Sequence, residues 1–117
     1  MGIENFLAPG ENVRFKSPGS VEYMGDNYPL YITDRRIIWF KTTGKIFKKN
    51  SFVSYPIEEV KNISYMEKGV LRKKGIIKLS LPSSYHEFTG DLGLIKDVYS
   101  EMQSYMLGSK KFTDENK

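Results

Sequence analysis

The chain of 117 residues has no cysteine, a single histidine, and no apolar run near the length of a membrane span. Without cysteine there is no disulfide, no thiolate metal cluster and no thiol nucleophile, which fits a reducing compartment. A spanning helix needs ~20 mostly apolar residues in a row, and nothing here approaches that. The opening "MGIENFLAPGE" has no basic start followed by an apolar stretch of signal length, and Phe6 stands where myristoylation prefers Ser or Thr. The expectation is a cytoplasmic protein that meets the inner face of the membrane, if at all, peripherally.

Catalytic patterns are equally scarce. No Gly-x-Ser-x-Gly elbow and no His-Glu-x-x-His pair occurs, and Gly44-Lys45 lacks the upstream glycine and following hydroxyl of a phosphate loop. His86 sits two residues from Phe88 in a short strand pattern, the setting of a structural histidine. Glu58 and Glu59 are adjacent, so they point apart. No carboxylate spacing recommends a metal site, and no motif calls for a cofactor. The expected class is therefore not an enzyme.

Apolar residues make up 39%, aromatic residues 14% and charged residues 27%, an ordinary globular balance. At this length folding hides roughly two-thirds of the extended chain's surface, enough for one core. The net charge of +4 is unevenly spread. "KTTGKIFKK" (41–49) carries Lys41, Lys45, Lys48 and Lys49 with no acid, and "EKGVLRKKG" (67–75) carries Lys68, Arg72, Lys73 and Lys74 against Glu67. These windows sum to +7, leaving −3 for the rest.

Along the chain, residues 4–9 suggest a short helical turn ended by Pro9-Gly10. "NVRFKS" alternates as a half-buried strand does. "PGSVEYMGDNYP", with two prolines and two glycines, reads as a loop holding a short strand near Val21–Met24. "LYIT" and "RIIWF" flank Thr33-Asp34-Arg35-Arg36, a hairpin turn in which the Asp34 carboxylate is expected to accept bonds from backbone N–H groups just ahead. Strands follow at "FVSYPI", "NISYM", "GIIKLSLP" and "HEFT". After Asp91, a natural N-cap, Leu92, Ile95, Val98, Tyr99, Met102, Tyr105 and Met106 recur at spacings of three and four, the stripe of an amphipathic helix. Gly108 suggests its stop, making 1–108 the domain and 109–117 a flexible tail. A small bent sheet has an open end, and a terminal amphipathic helix can close it. The expected fold is mainly β: a barrel or sandwich of about seven strands, capped by its C-terminal helix.

Taken together, "PGE", "LYITDRRIIWF", "YPIEEVKNISY", "IIKLSL", "EFTG" and "IKDVYSEMQSYM" resemble the bacterial-type pleckstrin-homology (PH) domains, which are similar to the GRAM domain and share its superfold. The resemblance spans about residues 7–107. It implies two near-orthogonal antiparallel sheets, of four and three strands, with the helix plugging one corner. It also implies a structural hairpin at Asp34-Arg35-Arg36, a binding module without catalysis, and a kinship with ring-forming assemblies. One departure concerns inositol phosphates: Arg14 and Lys16 are followed by "SPGSVEYMGDNY", without the further bases that grip them in eukaryotic PH domains.

Candidate binding residues fall in three groups. Lys41, Lys45, Ile46, Phe47, Lys48 and Lys49 combine bases with an apolar hairpin tip, as suits an anionic membrane. Arg35 and Arg36 are expected to join Lys68, Arg72, Lys73 and Lys74 in a second basic patch, with Val70 and Leu71 at that tip; a PH fold would put the two tips at opposite ends. The bland account of both tips is a solvated hairpin end whose lysines discourage edge pairing. Ile37 and Trp39, beside Tyr31, suggest a surplus apolar strand face for a protein partner or a second copy, unless the helix or N-terminal turn covers it. Nucleic-acid binding has less support, because aromatic residues are not interleaved along a basic groove.

Overall fold

The computed structural model describes residues 2–115, with side chains through residue 106. Seven strands, β1 (Val13–Tyr23), β2 (Asp26–Thr33), β3 (Arg36–Thr43), β4 (Lys49–Pro56), β5 (Asn62–Lys68), β6 (Lys74–Leu81) and β7 (Ser84–Asp91), precede the helix α1 (Leu92–Glu115). Short 3-10 turns lie at Ile3–Phe6 and Ile57–Glu59. The strands form one antiparallel ladder in the order β4-β3-β2-β1-β7-β6-β5. A group of four and a group of three thus meet at β1, whose end pairs with β7 through Glu22–Thr89 and Tyr23–Phe88.

What lets β1 serve both groups is an irregularity at Ser17-Pro18-Gly19. Its register against β2 shifts between Lys16 and Ser20. Proline removes a ladder donor, and a bulged strand bends. Buried Ser17 fills the gap: its hydroxyl donates to the Gly19 carbonyl and accepts from the Leu30 N–H at 3.0 Å. The loop expected over residues 18–29 is therefore a strand, a tight turn and a second strand. The turn itself is Met24-Gly25, both at positive φ (53° and 80°), the handedness favoured in two-residue hairpins. Proline and glycine marked a bend inside an element rather than its end.

The main core joins inward residues from both groups, among them Val21, Tyr23, Leu30, Ile32, Ile37, Trp39, Ile77, Leu79 and Phe88, to Leu94, Ile95, Val98 and Met102 of α1. Trp39 anchors it: its ring stacks on Tyr23 at 4.2 Å and meets Phe88 edge-on at 5.6 Å. The Asp91 carboxylate caps the helix by accepting the Gly93 N–H at 3.2 Å. α1 extends to Glu115, beyond the stop expected at Gly108, because a lone glycine weakens a helix without obliging it to end. The flexible tail expected at 109–117 lies outside the residues whose side chains are described, and 116–117 lie outside the described residues altogether.

A second, smaller cluster lies on the other face of β3. Ile38 and Phe40 are buried there with Ile3, and Leu7, Tyr31 and Phe52 pack against them. The Phe6 ring sits 5.2 Å from that of Phe40 and 5.3 Å from that of Phe52. The N-terminal turn is thus a lid over a strand that is apolar on both sides.

Candidate functional site

At the β2–β3 turn the side chain of Thr33 organises the backbone. Its hydroxyl oxygen accepts the N–H groups of Arg35 (3.0 Å) and Arg36 (2.8 Å). Asp34 does not take the expected role; its carboxylate accepts the Asn12 N–H at 3.1 Å, and its own N–H donates to the Asn12 carbonyl at 3.0 Å. The turn is thereby stitched to the segment preceding β1.

Arg36 is structural as well. Its Nε donates to Glu11 Oε2 at 3.0 Å and its Nη2 to Glu11 Oε1 at 2.7 Å. Further bonds run to the Phe6 carbonyl and to Ser54 Oγ. The Glu11 side chain is fully buried and also accepts the Thr33 hydroxyl and the Ala8 N–H. The bonds from Arg36, ahead of those from Thr33 and Ala8, hold the Glu11 carboxyl at about 2, although burial alone would raise it. Arg35 stays exposed beside an open cleft of about 450 Å³, lined also by Ala8, Glu58 and Tyr105.

The second basic patch is consequently not one patch. The β2–β3 turn is tied to the far part of α1, where the Tyr105 hydroxyl donates to the Asp34 carbonyl at 2.5 Å. Residues 67–75 lie against the beginning of α1: Gly75 abuts Ile95, and Glu67 lies 3.9 Å from Lys96. Ten helical residues from Ile95 to Tyr105 span ~15 Å, so α1 keeps Arg35 and Arg36 away from Lys68, Arg72, Lys73 and Lys74. The topology expected of a PH fold had placed both groups towards one end of the barrel; the path of the helix separates them.

The two basic hairpin tips share one construction. Five residues, Gly44–Lys48 and Gly69–Lys73, are closed by the pairs Thr43–Lys49 and Lys68–Lys74. Each opens on a glycine at positive φ, 91° at Gly44 and 109° at Gly69, where an added Cβ would strike the carbonyl oxygen of Phe47 or Arg72. Only glycine suits that place. Each tip displays two large apolar side chains: Ile46 and Phe47 are 85% and 88% exposed, Val70 and Leu71 93% and 97%.

Their electrostatic settings differ. At the β3–β4 tip Lys45, Lys48 and Lys49 have no acid within ion-pair distance among the described residues. Lys41, expected to act with them, is turned the other way: it pairs with Asp26 and lies 4.7 Å from the Tyr28 ring centre. A lysine on the strand ahead of the tip faces its neighbouring strand rather than solvent. Around the β5–β6 tip, Lys73 lies 4.0 Å from Glu67, and an open cleft of about 380 Å³ is lined by Lys68, Arg72 and Lys74 together with Glu22 and Glu87.

The apolar strand face expected at Ile37 and Trp39 is not a surface. Both residues are 0% exposed, pointing into the main core, while Ile38 and Phe40 take the outward side and are covered by the N-terminal turn. Tyr31 is half-buried in the same cluster, with Lys16 Nζ 5.6 Å from its ring centre. A run apolar at every position cannot reveal its own parity. His86 is held by Tyr23 Oη at Nδ1 (3.0 Å) and Ser84 Oγ at Nε2 (2.9 Å), and its burial lowers its pKa. Among the described residues no three metal-ligating side chains cluster, and no helix is long and apolar enough to cross a membrane.

A seven-strand antiparallel sheet turned at β1 and capped by a C-terminal helix defines a PH-like fold. Among solved structures the chain is similar to a pleckstrin-homology domain from Shewanella amazonensis, with a TM-score of 0.65 and 17% identity over 90% of this chain and 92% of that one. It is similar also to a DUF1696-family protein with a pleckstrin-homology domain from Shewanella loihica, with a TM-score of 0.59 and 15% identity over 88% and 86%. At these identities the likeness concerns the fold. No family model and no curated protein matches the sequence.

Proposed function

We propose that this protein is a non-catalytic binding module that meets anionic membrane surfaces through its β3–β4 tip. The observation that carries the reading is the combination at 44–49 of three lysines that have no ion pair among the described residues with Ile46 and Phe47, both almost wholly exposed on a short glycine-started loop. Each lysine near an anionic surface contributes ~1 kcal/mol, and aliphatic or aromatic groups that enter the interface add to it. Lys41 supports the tip from below by pairing with Asp26 and is not counted among the contacts. The protein-interaction alternative loses the face on which it rested, since Ile37 and Trp39 are interior.

The test is sedimentation with phosphatidylserine-containing vesicles at rising salt. Wild-type binding should weaken as salt rises, and Lys45→Glu, Lys48→Glu and Lys49→Glu together should reduce it by about a hundredfold or more. Binding that is indifferent to both changes would overturn the reading.

A further inference from the structure

The β5–β6 tip is built like the β3–β4 tip but faces elsewhere. Direction follows from register. Along β7, Asp91 stands opposite Lys74, and Phe88 stands opposite Tyr23. The β5–β6 hairpin runs on past the Asp91 end, because Lys68 and Lys74 close it there. β1 is antiparallel to β7, so from Tyr23 it continues the opposite way, to its turn at Met24-Gly25. That turn and the β3–β4 hairpin share one end of the sheet, tied by Lys41 to Asp26. A single flat surface cannot receive both tips.

The chemistry differs as well. Val70 and Leu71 are the two most exposed large apolar side chains among the described residues. Beside them Lys68, Arg72 and Lys74 share a cleft with Glu22 and Glu87, yet none of these cations forms an ion pair with those acids. Opposite charges held on one rim without neutralising each other complement a ligand that also carries both signs: a phosphate for the cations and an ammonium for the carboxylates. Phospholipid headgroups of the zwitterionic class carry that pair, and their acyl region lies where an aliphatic tip would go.

We propose that the β5–β6 tip is a second bilayer-contact site, matched to zwitterionic headgroups, and that the two outward-facing tips let one chain join two membrane surfaces. The joining part rests on the anionic-membrane reading of the β3–β4 tip; the zwitterionic site stands by itself. Because this site relies on an aliphatic pair and a mixed-charge rim, its binding changes little with salt, unlike that of the lysine tip.

The experiment uses the full chain with three samples: phosphatidylglycerol vesicles, which carry no ammonium and no zwitterionic lipid, purely zwitterionic phosphatidylethanolamine–phosphatidylcholine vesicles, and a mixture of the two followed by light scattering. Wild type should bind both kinds and cluster the mixture. Val70→Ser with Leu71→Ser, both at a solvent-exposed tip, should lower zwitterionic binding by about tenfold or more and abolish clustering while leaving anionic binding intact. Ile46→Ser with Phe47→Ser should do the reverse for anionic vesicles. If soluble phosphoethanolamine competes with zwitterionic vesicles, the headgroup match holds; if it does not, that match is overturned and the tip binds through its aliphatic pair alone. Zwitterionic binding that is absent, or equal in the Val70/Leu71 variant, overturns this inference even when anionic binding is normal. Clustering that survives in that variant assigns joining to self-association and overturns the two-surface part. Loss of anionic binding alone would sink the earlier reading and leave the second site standing.

Discussion

Arg36 grips Glu11 at two points across 25 residues of chain, Nε to Oε2 at 3.0 Å and Nη2 to Oε1 at 2.7 Å. The same guanidinium reaches the Phe6 carbonyl and lies 5.3 Å from the Phe52 ring centre. One side chain of β3 thereby secures the N-terminal turn that covers Ile38 and Phe40. The bidentate geometry needs a planar fork, which lysine lacks.

Glu11→Gln should therefore be strongly destabilising, by about 3 kcal/mol, because it leaves a partly buried guanidinium without its charge partner. Arg36→Lys should cost somewhat less. Urea denaturation of the two variants and wild type measures this, and a change under 1 kcal/mol for Glu11→Gln would remove the pair from its structural role.

The same carboxylate predicts acid sensitivity. Its folded pKa of about 2 lies below the ordinary 4.5, so its stabilisation is complete above about pH 4.5 and is lost as pH falls towards 2. His86 adds to the trend earlier: burial lowers its pKa, so the unfolded chain binds a proton first, and stability declines as pH drops through 6.5. Thermal melts from pH 7 to 3 should show both declines, with the one below 4.5 reduced in Glu11→Gln, where the Lys41 partner of Asp26 still holds that carboxyl low.

Gly75 has no room for a side chain. An added Cβ would lie 2.6 Å from Cβ and Cγ2 of Ile95, where α1 crosses β6. Gly75→Ala should destabilise by about 1–3 kcal/mol. Combining it with Ile95→Ala, which removes Cγ2 but keeps Cβ, should recover part of that loss, whereas strictly additive costs would mean that the Cγ2 contact does not matter.

Lys41 and Lys48 offer a contrast within one lysine-rich window. Lys41→Gln breaks a pair with Asp26 and should leave vesicle binding within about twofold, whereas Lys48→Gln should weaken it about fivefold. Equal effects would indicate that net charge alone, not the tip's geometry, governs attraction.

Much of the architecture was legible because it is periodic. Alternation marked β4, β6 and the start of β1, and spacings of three and four marked α1 from its Asp91 cap. The first hairpin was not legible: Ser17-Pro18-Gly19 looks like a loop, and only the Ser17 hydroxyl bonding to Leu30 shows that a strand continues through it. At the candidate site, the lysines, Ile46 and Phe47 stood out as a group, yet the orientation of Lys41 and the separation of Arg35 and Arg36 from Lys68, Arg72, Lys73 and Lys74 did not. These depend on contacts between residues far apart in sequence.

By itself the sequence determined the element types outside the first hairpin, the capping helix and the two basic, apolar-tipped hairpins, because local periodicity and turn chemistry act over a few residues. The tertiary structure alone decided which face of β3 is core, since Ile37, Ile38, Trp39 and Phe40 offer no polar partner to set parity. It alone decided which charges are spent on structure, as Arg36 and Lys41 are, and which stand without an ion pair among the described residues. Burial and pairing are properties of neighbours in space, and a one-dimensional pattern does not contain them.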